Sequence, residues 1–177
     1  MYKDITLTAL FMILFILILS GCTYQSVNHL SKRHWETDQS QNLEMDYFQF
    51  EYNSHPQAKK VEVKGTACLK KDSIPAWAAW IDDIWLAVYL SDDQGRVLAK
   101  DINIFAPRKL DYEQGIDFSF LLKPEQMGSP GPVFITFGYR VVLTPGRNYP
   151  GKSPDLLSEI TRETEVFFAS ESALSRF

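Results

Sequence analysis

The chain has 177 residues, a formal net charge of −4 and 45% hydrophobic residues. That hydrophobic share argues for a globular body over a disordered one. The mild acidic balance gives no electrostatic footprint for nucleic acid, so no nucleic-acid partner is expected.

Met1-Tyr2-Lys3-Asp4 is a short polar start, followed by an apolar run from Ile5 to Leu19 broken only by Thr6 and Thr8. A run of this length suits a signal-peptide core and falls short of the roughly 20 residues a membrane-spanning helix needs. It closes on Leu19-Ser20-Gly21-Cys22: an aliphatic residue, two residues small enough for a signal-peptidase cleft, and a thiol. This stretch resembles the lipobox of bacterial lipoproteins. The resemblance implies that residues 1–21 are a signal peptide and that Cys22 is the lipidation site, carrying a diacylglyceryl group and an acylated amino group. Several acyl chains hold a protein on a membrane stably where one chain is marginal. In the enterobacterial form of the family, Asp after the cysteine retains the protein at the inner membrane. Thr23 stands there instead, which implies the periplasmic face of the outer membrane. The alternative is an uncleaved N-terminal anchor, just long enough for a thin bilayer.

Cleavage would leave roughly 155 residues, one domain by length. With Cys22 lipidated, Cys68 has no partner in the chain and reads as a small buried hydrophobe in a strand. Residues 22–44 are polar and aperiodic and read as a flexible tether, with a random-coil reach of about 25 Å. Lys32-Arg33-His34 within it can graze anionic headgroups.

From residue 45 a period of two begins. Phe48, Phe50 and Tyr52 alternate with Gln49 and Glu51. Val61 and Val63 face in while Glu62 and Lys64 face out. Ile84 to Leu90 and Arg96 to Phe105 flank the turn residues Asp92-Asp93-Gln94-Gly95 and predict a hairpin. Ile116 to Leu122 is a fifth strand and Val133 to Leu143 a sixth. Pro154-Asp155 can open a short helix through Arg162, and Glu165 to Phe168 can form a last strand before a frayed tail over residues 170–177.

Short strands separated by Pro- and Gly-rich turns predict an all-β fold, an antiparallel β-sandwich over residues 45–169. Gly65 ending an early strand, the strand Val88 running into the turn at Gly95, and the later strand Gly115 to Phe120 resemble the small immunoglobulin-like domains of exported bacterial proteins. The resemblance implies an immunoglobulin-like sandwich and gives no activity.

Three of the four tryptophans, Trp77, Trp80 and Trp85, fall close together after Pro75. If Pro75 opens a short helix, Trp77 and Trp80 share a face. Such a cluster either plugs an open end of the sandwich or offers a binding surface to a sugar, a protein or a membrane interface. His29, His34 and His55 share no metal-ligand spacing, and Asp82-Asp83 and Asp92-Asp93 lack the loop that calcium requires, so neither a metal nor another cofactor is expected. No nucleophile elbow, phosphate loop or dinucleotide fingerprint appears. The expectation is therefore a non-enzymatic, lipid-anchored envelope protein that presents a sandwich to an envelope protein complex. The alternative is a carbohydrate- or peptidoglycan-binding module, or an envelope hydrolase, built on the tryptophan cluster.

Overall fold

A computed structural model describes residues 24–124, 131–147 and 165–176. The strands, in chain order, are β1 (Tyr24–Ser26), β2 (Arg33–His34), β3 (Ser40–Glu44), β4 (Phe48–Gln57), β5 (Lys60–Leu69), β6 (Trp80–Ser91), β7 (Val97–Phe105), β8 (Arg108–Lys109), β9 (Ile116–Leu122), β10 (Phe134–Thr144), β11 (Phe167–Glu171) and β12 (Leu174–Arg176). All paired strands run antiparallel. One sheet has the order β3-β4-β5-β9 and the other β11-β10-β6-β7, with β2 and β8 pairing the ends of β10 and β6. The chain is thus the predicted all-β sandwich. From β3 onward the chain passes from one sheet to the other after β5, after β8 and after β9.

The alternation read from the sequence sets which faces meet. Phe48, Phe50, Tyr52, Val61, Val63, Phe118 and Phe120 project from one sheet. Ile84, Leu86, Val88, Ile135, Phe137, Tyr139 and Val141 meet them from the other, and all are buried. Phe50 stacks on Phe137 with ring centroids 4.2 Å apart, and Phe48 packs on Tyr139 at 4.8 Å. Each such aromatic buried between the sheets contributes about 1.5–3 kcal/mol relative to exposure.

The β6–β7 hairpin closes as predicted. Asp92 Oδ1 accepts the Arg96 N–H at 2.8 Å, and Gly95 adopts a φ of +76°. A side chain at Gly95 would be strained by that φ and would also strike the backbone of Asn28. On the flank where β7 and β9 adjoin, Asp101 ties the sheets together. One carboxylate oxygen accepts the N–H of Ile102 at 2.9 Å and the other that of Leu121 at 2.8 Å. Asn103 Nδ2 donates to the Ser119 carbonyl at 2.9 Å.

Four expectations are corrected. Residues 24–44 are no tether: they form β1, β2 and β3, and Val27, Leu30 and Leu43 are buried in the core cluster. The backbone there is bonded to the sandwich, Val27 N to Gly95 O, Trp35 N to Val133 O and Asp38 N to Ser54 O. The domain therefore begins by residue 24, not 45. Residues 174–176 are not frayed but pair with β1. Pro75 opens no helix; Ala78 N bonds Pro75 O in a turn, and β6 starts directly at Trp80. Cys68 is half-buried, because it lies on the outward side of β5 between the buried Ala67 and Leu69. The helix expected from Asp155 to Arg162 and the acylation site Cys22 lie outside the described residues.

Candidate functional site

The outer face of the β11-β10-β6-β7 sheet divides into two halves. Toward the β6–β7 hairpin it is covered. Thr136, Tyr89 and Ser91 point outward yet are buried, Thr136 Oγ1 donating to the Ser31 carbonyl and the Tyr89 ring lying over Gly138. Burial, opposed by a bond to the Ala173 backbone, pushes the Tyr89 hydroxyl above its ordinary pKa, so it stays neutral. Val27 and Leu30, in the turn after β1, add their apolar side chains to the core cluster.

Toward the other end the same face is bare. Pairing puts Ile104 beside Trp85, Trp85 beside Arg140, and Val142 beside Phe168. Ile104 is 80% exposed, Phe168 59% and Ile102 47%. At the centre Arg140 Nε meets Asp83 Oδ2 at 3.1 Å while its guanidinium stacks over Phe168 at 5.5 Å. The band is apolar at both flanks and internally neutralised in the middle. Scattered single apolar residues on a surface need no explanation; here two apolar flanks are drawn together on one sheet face around a charged pair.

The three tryptophans do not make one platform. Trp85 lies in this band, half-buried between its strand neighbours. Trp80 sits at the start of β6, opposite Thr144 and Lys109, with the Arg147 guanidinium over its ring at 5.6 Å. Trp77 lies in the turn before β6 and packs against the core. An irregularity between Val142 and Leu143 leaves Asp82 as an extra residue in β6, so Ile81 pairs with Leu143 and turns inward, where strict alternation from the inward Ile84 would turn it outward. The cluster is legible in sequence, but its dispersal follows from Trp77 lying in the turn and from Trp80 and Trp85 standing five residues apart along β6. Sequence reasoning missed Ile102, Ile104 and Phe168. The alternation of Ile102 and Ile104 with Asp101 and Asn103 was a usable signal, since it places apolar residues outward once the polar pair is known to face the other sheet.

Among the described residues no three His, Cys, Asp or Glu side chains are grouped to hold a metal, and no helix is long and apolar enough to cross a membrane. His55 Nδ1 lies 2.7 Å from Asp38 Oδ1 and the His34 ring packs edge-on against Phe134. Asp92 serves the hairpin turn.

No protein-family model matches the chain, and no similar protein was found among curated sequences or solved structures.

Proposed function

We propose that this is a lipid-anchored envelope protein whose sandwich docks another envelope protein through the bare half of its outer sheet face. The observation that carries the docking part is the band of Ile102, Ile104, Trp85, Val142 and Phe168, left uncovered where the other half of the same face is buried. The anchoring part rests on Leu19-Ser20-Gly21-Cys22. Residue 24 enters at the hairpin end, where Ser26 bridges to Arg96, so the bare half lies beyond the covered one as seen from the anchor.

Two measurements test the parts separately. Cys22→Ser is expected to move the protein from the membrane to the soluble fraction; unchanged membrane partition refutes the anchor. A photo-crosslinking residue replacing Ile104 in the anchored protein is expected to give a discrete adduct, while the same residue at Lys64, on the other sheet, gives none. Equal labelling at both positions, or none at either, refutes the docking surface.

A further inference from the structure

The end of the sandwich far from residue 24 holds two adjoining cavities. The outer is an open cleft of about 850 Å³, bordered by Lys71, Arg108, Lys109, Tyr112 and Glu113. The inner is a hole of about 40 Å³ between the two sheets, with Ala67, Leu69, Ile81 and Ile116 among its walls. Arg108, Lys109, Asp111 and Gln114 border both. The hole opens from the apolar core directly under a cationic rim.

The rim is held in place by backbone pairing. Arg108 and Lys109 form β8 opposite Ile81 and Trp80, and the next residue, Leu110, donates its N–H to the Ala79 carbonyl at 3.0 Å. The Lys71 ammonium sits 6.0 Å from the Tyr112 ring centre, and the Arg108 guanidinium 5.8 Å from that of Phe105. Among the described residues, no salt bridge joins a carboxylate to Lys71, Arg108 or Lys109. Asp111 and Glu113 also border the cleft; Asp111 is held below the ordinary carboxylate range by its turn and by the charge of Lys109. Its Oδ1 accepts the N–H groups of Glu113 at 2.9 Å and Gln114 at 3.2 Å.

We propose that this end binds a carboxylate carried on a small aliphatic group, the C-terminal alanine of a peptide. The carboxylate lies against Arg108 and Lys109, and the methyl group enters the hole. A guanidinium matches a flat carboxylate with two parallel hydrogen bonds. A free phosphate would leave the apolar walls of the hole, Ala67, Leu69, Ile81 and Ile116, without a partner. Size sets the residue: a cavity of about 150 Å³ holds a benzene ring, so one of about 40 Å³ admits a methyl group and not a leucine side chain. The source is either the end of a protein chain, where the alanine is L, or a cell-wall stem peptide, where it is D. The inference goes beyond the docking surface and does not depend on it.

The test is a calorimetric titration of the full chain in detergent micelles, with Trp80 fluorescence as a second readout because Trp80 is the strand partner of Lys109. The probes are N-acetyl-Ala-Ala in its L,L and D,D forms, the corresponding C-terminal amide, N-acetyl-Ala-Leu, and inorganic phosphate. One of the two acids is expected to saturate the site. The amide, the leucine peptide and the R108Q/K109Q double variant are each expected to bind at least about tenfold more weakly, the loss due for charge-assisted bonds or an excluded side chain. Preference for L,L assigns a protein terminus and preference for D,D a wall peptide. An amide or a leucine peptide that binds as well as the acid overturns the proposal, as do phosphate competing as strongly as the peptide and saturation by no peptide. The ligand series is run on the native chain, so its outcome does not depend on the folding of the double variant.

Discussion

Two carboxylates shape this molecule in opposite senses. Asp101 is accepted into the fold by two N–H groups, one from each sheet. Its removal leaves two edge donors unpaired and separates the sheets along one flank. Asp101→Ala is expected to cost about 1–2 kcal/mol, seen as a lower urea midpoint with an unchanged slope. Glu171 works the other way. Burial, a hydrogen bond with Asp46 and the charge of Asp46 raise its carboxyl above the ordinary range, offset in part by the Tyr139 hydroxyl. In turn, burial and the negative charges of Glu171 and Asp46 keep Tyr139 neutral far above the usual tyrosine range. A carboxyl whose folded pKa is raised favours the native state most when protonated, and that advantage is lost as pH rises through the folded value. Glu171→Gln is therefore expected to raise the melting temperature near about pH 8 and to lose that advantage near about pH 4. A variant equally stabilised at both would show that the Glu171 charge does not carry the effect. Glu44 has the opposite sign: Lys70, 2.7 Å away, lowers its pKa by hydrogen bond and charge, so that its contribution fades only as acid protonates it.

At the scale of elements, the strands with clean alternation were legible and the irregular ones were not. Phe48 to Tyr52, Val61 to Val63 and Ile116 to Leu122 each bury one side of a long strand, so the period of two survives in the sequence. Residues 24–44 bury isolated side chains, Val27, Leu30 and Leu43, among polar neighbours. Their order comes from side-chain bonds that leave no periodic mark, two of them to Ser54 outside the segment. Trp35 Nε1 donates to Ser54 Oγ at 3.0 Å, Ser54 Oγ donates to the Glu36 carbonyl at 2.7 Å, and Gln41 Nε2 donates to the His34 carbonyl at 3.1 Å. The difference between tether and element is measurable. Val27→Ala in a solvated linker would be neutral; in this fold it opens a cavity and is expected to cost about 2 kcal/mol by equilibrium unfolding. At the candidate sites the limits were similar. The tryptophan cluster was visible because the residue type is rare. The bare band was invisible because Ile102 and Phe168 become neighbours of one face only through the sheet order β11-β10-β6-β7.

At the scale of the whole molecule, the two ends of the sandwich are chemically different. The hairpin end carries the entry of residue 24 and the pairing of β1 with β12. The far end carries Trp77, Trp80, β8 and the paired cavities. β6 runs nearly from one to the other, twelve residues, or about 40 Å at the usual strand rise. The cationic rim and Trp80 therefore stand at the end opposite the entry of residue 24, with the bare band between the two levels.

The clasp of Asp101 and Asn103 has a further consequence for a protein crowded onto a surface. An edge strand such as β7, with two outward isoleucines, is a template on which another chain can add a strand, and repeated addition makes fibres. Here the Ile102 N–H is occupied by its neighbour's carboxylate, and the β9 groups at Ser119 and Leu121 are occupied from across the sandwich. One donor at the middle of that edge is thereby withheld from an adding strand, beside the stickiest surface of the molecule.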